Sequence, residues 1–204
     1  MIERELKYSS PDDNIPILSE LEPIFIDYKI SPAKLYQIHD RYYDDATNSL
    51  EKAGIGLRKR KINSKRLVTL KSNAQNQEEY FERKELELEL KGSKWPDEIL
   101  KELEGICNVS ALRRIIEFRT ERVSYTVSQA KPLAIISFDR ITAKLANIDK
   151  KTSFFEVEIE AIADTNQNKL LIIAQTLEKV ISLSANTSNK LARAKALLSL
   201  GEFL

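Results

Sequence analysis

Apolar and polar positions alternate along much of this chain, and a period of two is the mark of a half-buried strand. Alternation begins almost at the first residue, over Ile2 to Tyr8, and returns over Tyr36 to Asp44, Gly56 to Lys61, Lys65 to Lys71 and Tyr80 to Lys91. Three further stretches lie at Glu117 to Ser128, Leu133 to Arg140 and Ser153 to Ala161. Asn63-Ser64 supplies a turn between the third and fourth, and Ser72 to Glu78 reads as a polar loop. Between the strands the period changes. Ile17, Leu18 and Leu21 predict a short helix ended by Pro23, and Thr47 to Ala53 a helical turn closed by Gly54. Trp95 to Ile106 carries Ile99, Leu100, Leu103 and Ile106 at helical spacing. Leu170, Ile173, Ala174, Leu177 and Ile181 form another apolar stripe, and a last helix runs over Asn189 to Leu200. Eight strands in one antiparallel set, with helices packed outside, predict an α+β fold dominated by an eight-stranded antiparallel β-barrel.

The charges follow the same period. Strand residues two apart share a face, so Glu3, Glu5 and Lys7 lie together, as do Arg58 with Arg60 and Thr69 with Lys71. Arg83, Glu85, Glu87 and Glu89 share a face; so do Arg122, Ser124 and Thr126, then Ser137 and Asp139, then Glu156, Glu158 and Glu160. Every strand except the second carries such a stripe. For one strand alone, a solvated outer face explains it. For the set it does not, because like charges at neighbouring positions of one face repel, and a chain that accumulates them invites a ligand of opposite sign. Apolar residues turned outward under the helices and charges turned inward satisfy both patterns. Buried charges need partners or water, so this interior is expected to be wet and open.

Composition narrows the ligand. Lys plus Arg number 32 against 31 Asp plus Glu, for a net charge of +1, so the chain lacks the basic excess on which nonspecific nucleic-acid binding rests. Clustered Lys and Arg suit a polyanion of several phosphates. Clustered Glu without His or Cys suits a hard, oxygen-seeking ion such as Mg²⁺ or Mn²⁺. At 204 residues and 42% hydrophobic content, one domain over residues 1–204 is expected to fold without disulfides. Cys107 is the sole cysteine, and no run of 18 apolar residues occurs, which fits a cytoplasmic protein that neither leaves the cell nor spans a membrane. A homodimer is compatible with all of this.

Ile2-Glu3-Arg4-Glu5-Leu6-Lys7 resembles the N-terminal ExExK signature of the CYTH, or triphosphate tunnel metalloenzyme, superfamily. Tyr42-Tyr43-Asp44, Gly56-Leu57-Arg58-Lys59-Arg60, Thr69-Leu70-Lys71, Arg83-Lys84-Glu85, Arg122, Asp139, Glu158-Ile159-Glu160 and Ser188-Asn189-Lys190 extend the likeness over most of the chain. The resemblance implies an eight-stranded tunnel and metal-dependent attack on triphosphates. It implies Glu3, Glu5, Glu158 and Glu160 as metal ligands, with Asp139 a further candidate. Lys7, Arg58, Arg60, Lys71, Arg83, Arg122 and Lys190 are implied to hold phosphate oxygens, and Glu85 and Glu87 to position water or a second metal. The seventh strand departs from the pattern, since Ile135 and Ser137 stand where further acids are expected beside Asp139. The loops are more similar to those of bacterial inorganic triphosphatases than to those of class IV adenylyl cyclases. Hydrolysis of inorganic triphosphate is therefore the leading expectation. Adenylyl cyclisation, a thiamine or nucleoside triphosphatase, and a non-catalytic polyphosphate or nucleotide binder are the alternatives. His39, the only histidine, has no evident partner in the sequence and reads as a structural or surface residue.

Overall fold

The structure is a computed structural model and describes residues 2–77, 80–186 and 188–200. Among these residues ten strands form in chain order: β1 (Ile2–Ser9), β2 (Lys29–Ile30), β3 (Lys34–Asp44), β4 (Gly56–Ile62), β5 (Lys65–Gln77), β6 (Tyr80–Glu89), β7 (Arg113–Ser128), β8 (Pro132–Leu145), β9 (Lys151–Ala161) and β10 (Ser184–Ala185). Eight of them close on themselves in the order β1-β6-β5-β4-β3-β7-β8-β9, with β9 pairing back onto β1. Closure removes both sheet edges. The two-residue strands, which alternation is too short to reveal, are additions at the rim: β2 pairs with β7 and β10 with β1.

Among the described residues five α-helices pack outside the strands, α1 (Leu18–Leu21), α2 (Ser49–Lys52), α3 (Asp97–Leu103) and α4 (Gln167–Leu177) along the wall and α5 (Lys190–Leu200) at one end. Among the described residues no helix is long and apolar enough to cross a membrane.

The apolar residues do turn outward. On one flank Leu6, Tyr8, Ile136, Phe138, Val157 and Ile159 meet Leu21 of α1 and Leu170, Ile173 and Leu177 of α4. On the other, Leu57, Val68 and Leu70 meet Leu50 of α2 and Ile99 and Leu103 of α3. Helix α5 packs differently. Its Ala194 and Leu198 rest on Tyr42, Ile116, Phe118, Ile141 and Ala143. Phe118 and Arg122 share one face of β7, and Ile141 and Asp139 one face of β8, so this cluster closes the end of the charged interior.

Local chemistry sets the turns. Asn63 takes a left-handed φ of 52° between β4 and β5, and Gly54, at φ 70°, ends the turn of α2. The stretch Ser72 to Gln77, read from sequence as a loop, continues β5 instead; a register shift between Ser72 and Gln75 absorbs its irregular pattern, and Glu78 falls outside the described residues.

Candidate active site within the barrel

Strand β1 carries Glu3, Glu5 and Lys7 to the interior, each less than a tenth exposed. Register then decides their neighbours: Glu3 stands opposite Arg83, Glu5 opposite Glu160 and Lys7 opposite Glu158. Lys71 Nζ donates to both oxygens of Glu3 at 2.6 and 2.8 Å, and Arg83 Nε adds a third bond at 2.9 Å. Burial alone would raise the Glu3 pKa, but Lys71 and Arg83 outweigh it and hold the carboxyl at about 2. Arg83 also donates to Glu5 through Nη2. Lys7 donates to Glu158 and lies 3.2 Å from Glu5. Burial works against its charge, yet Glu158 and Glu156 keep its ammonium well above the ordinary range.

Across the barrel, Arg122 grips Asp139 through Nε and Nη2 at 2.6 and 2.7 Å, and Nη2 reaches Glu158 at 2.6 Å. Lys190, the first residue of α5, donates to Asp139 at 2.8 Å. Arg58 and Arg60 project from β4; Arg58 Nη1 meets the Tyr42 hydroxyl at 3.4 Å and Nη2 lies 3.9 Å from Glu85. Glu85 is also 3.6 Å from Lys71, whereas Glu87 is exposed and accepts from Thr69 Oγ1 at 3.0 Å.

These side chains surround one cavity of about 600 Å³. Its lining includes Lys7, Arg58, Arg60, Lys71, Arg83, Arg122 and Lys190 together with Glu3, Glu85, Glu87, Glu158 and Glu160. Glu5 and Asp139 are not part of the lining, and Asp139 is fully buried. The structure therefore gathers all the residues singled out by the sequence into one barrel, with those two behind the others.

Acids given no role by the sequence include Asp40, Glu156 and, on the cavity lining, Asp44 and Glu51. Asp40 lies on β3, the strand credited with no charged stripe, and is 1% exposed. It receives Arg60 Nε and Nη2, both at 2.7 Å, and has Arg58 at 3.7 Å. Ile38 and Tyr42 flank it on its face and separate it from Asp44, so the acids of β3 make no unbroken stripe. Glu156 belonged to a stripe but was assigned no role; it stands directly opposite Asp139, fully buried, and burial pushes its pKa up. The acidic neighbour that β8 does not give Asp139 along its own strand thus comes from β9. His39, read as lacking a partner, has Nε2 2.6 Å from Glu117 on the outer wall. Arg119, three residues before Arg122 and so on the opposite face of β7, is on that outer wall, with its side chain 78% exposed.

The donor set fits a hard divalent ion. Glu3, Glu158 and Glu160 line the cavity without any soft ligand, and burial, then Glu3, raises the pKa of Glu160. A cation among these carboxylates would relieve that repulsion. As they stand, among the described residues no three carboxylates are disposed to hold a metal, and Lys and Arg engage Glu3, Glu5 and Glu158 instead.

Compared by sequence with curated proteins, the chain finds no match. Compared by structure, it is similar to HpAC1 from Hippeastrum, a candidate adenylyl cyclase described as having a dominant triphosphatase activity, with TM-score 0.66 and 19% identity over 95% of each chain. A candidate adenylate cyclase from Bacillus halodurans follows at TM-score 0.57 and 18% identity, over 94% of this chain and 97% of that one. The PH1819 protein of Pyrococcus horikoshii OT3 superposes at 0.55 and 17% identity over 99% of both. The sequence pattern of the CYTH domain matches residues 1–194, and the chain belongs to the CYTH domain family.

Proposed function

We propose that this protein hydrolyses a triphosphate inside its barrel, with inorganic triphosphate as the foremost substrate and Mg²⁺ or Mn²⁺ as cofactor. The observation that carries the reading is the lining of one cavity by seven Lys and Arg side chains alongside Glu3, Glu85, Glu158 and Glu160. Acids that face the same cavity, unlike a carboxylate seated behind its wall, repel a bound polyanion unless a cation lies between them. The triphosphatase activity described for the Hippeastrum protein supports the same reading.

In this mechanism Lys7, Arg58, Arg60, Lys71, Arg83, Arg122 and Lys190 bind the phosphate oxygens. Lys7, Lys71 and Arg83 turn from carboxylate to phosphate, which frees Glu3, Glu5 and Glu158; these, with Glu160 and with Asp139 behind them, would hold the ion. When bound, the ion would supply neutralisation and polarisation of the phosphoryl oxygens. Glu85, between Arg58 and Lys71, orients the attacking water and accepts its proton, with Glu87 further toward solvent. Water adds to the terminal phosphorus, the bridging P–O bond breaks, and orthophosphate and pyrophosphate leave. The cations stabilise charge spread over the transferring group, so catalysis is positioning and electrostatics, with no nucleophilic side chain. The reaction belongs in the cytoplasm, consistent with a chain whose one cysteine, Cys107, has no partner for a disulfide.

One observation favours a second reading, an organic triphosphate. Tyr42, Ile55, Ile115 and Leu191 give the cavity an apolar sector that a bare polyphosphate does not use. A substrate panel of tripolyphosphate, ATP and thiamine triphosphate, assayed with Mg²⁺, Mn²⁺ and EDTA, separates the cases. Metal-dependent orthophosphate release from tripolyphosphate is expected. Cyclic AMP and pyrophosphate from ATP would identify a cyclase, and binding without release a receptor; no turnover of any of the three sinks the proposal.

A further inference from the structure

Arg58 and Arg60 line the cavity, but the carboxylate that holds Arg60 does not. Asp40 is 1% exposed, stands opposite Arg60 across the β3–β4 pair, and accepts two parallel bonds from its guanidinium. That side-on grip uses Nε and Nη2 and leaves Nη1 outside the pair. Oδ2 is at the same time 3.7 Å from Arg58. Burial opposes its charge, but Arg60 and then Arg58 hold the carboxyl far below the usual range. A flexible arginine must surrender rotamer freedom to bind an oxyanion, and one already locked in a planar fork does not. From Asp40's bidentate hold on Arg60, and its seat behind the cavity wall, we infer that it is a positioning residue for the proposed reaction. It presents Arg60 to the triphosphate in a fixed orientation. The inference rests on the proposed function.

A double-mutant cycle over Asp40→Asn and Arg60→Ala tests it, read as kcat/KM for tripolyphosphate with the folded fraction set by each variant's Tm. Asp40→Asn is expected to lower kcat/KM roughly 10- to 100-fold in the wild-type background, the scale typical of residues that orient a binding group. In the Arg60→Ala background the same change is expected to cost less than about threefold, since the group it orients is gone. Asp40→Glu guards against misfolding: it keeps the charge but moves the carboxylate by one methylene, and is expected to lose activity while keeping its Tm. An Asp40→Asn loss as large without Arg60 as with it, or full activity in Asp40→Glu, overturns the inference and leaves the proposed function intact. A wild-type protein inert toward tripolyphosphate removes the proposed function itself, and the positioning role with it.

Discussion

Lys190 Nζ sits 2.8 Å from Oδ2 of Asp139, so a residue at the start of the last helix completes an ion pair in the middle of β8. The same ammonium is 3.5 Å from Glu156 and 3.6 Å from Glu158. Those acids hold its pKa up against burial, with Asp139 contributing most. Helix α5 thereby carries a cation that the barrel wall needs. Arg193, one turn on, stacks 4.7 Å from the Phe154 ring and donates to the Phe155 carbonyl, anchoring the same helix.

Lys190→Ala is expected to leave three buried acids short of a cation and to cost about 3–5 kcal/mol, the usual penalty for breaking a buried pair. Urea denaturation of the variant checks it. A midpoint within error of the wild type would show that Lys190 is dispensable to the wall.

Acid should unfold the protein over a defined window. Glu3 has its pKa depressed from 4.5 to about 2, so its pairing contributes fully above pH 4.5 and is lost as the pH falls toward 2. Asp40, Asp139 and Glu158 are depressed as well and act in the same direction. Denaturation midpoints measured along that descent should fall steeply, whereas a flat profile would contradict the pairing described.

Glu160 behaves oppositely. Burial, then Glu3, raises its pKa, so it favours the folded state at low pH and that contribution fades as the pH rises through its folded pKa. Glu160→Gln is therefore expected to raise Tm by a few degrees at neutral pH while reducing metal-dependent phosphate release. A variant both less stable and fully active would reverse both halves of the argument.

Mg²⁺ or Mn²⁺ binding to the folded protein alone should raise Tm, by an amount equivalent to about 2.7 kcal/mol at a hundredfold excess over Kd. Glu5→Gln and Glu3→Gln are expected to shrink that shift, and EDTA to abolish it. Calorimetry with and without the ion decides the matter independently of turnover.

Arg60→Ala is expected to cost two to three orders of magnitude in turnover, as loss of one preorganised donor to a developing oxyanion does, roughly 10²–10³-fold. Orthophosphate release under saturating tripolyphosphate measures it. A loss confined to KM would assign Arg60 to ground-state binding instead.

The sequence by itself determined much of this protein, because a strand's two faces alternate at every residue. Glu3, Glu5 and Lys7, or Arg58 and Arg60, could be placed on one side of the wall without coordinates, and so could the apolar residues that the helices cover. Fold class followed from that parity together with the residues resembling the CYTH pattern, whereas Glu5 and Asp139 lie behind the cavity lining and Asp44 and Glu51 join it. What only the tertiary structure decided is how one strand's charges meet another's. Register across closed strands sets Glu156 against Asp139 and Asp40 against Arg60, and neither pairing leaves a trace in the local pattern of its own strand. Closure also brings β9 onto β1, so that Lys7 faces Glu158 across 151 residues of chain. Ion pairs between distant segments depend on distance and burial, which alternation does not encode; parity fixes the face of each residue, and only the folded barrel fixes its partner.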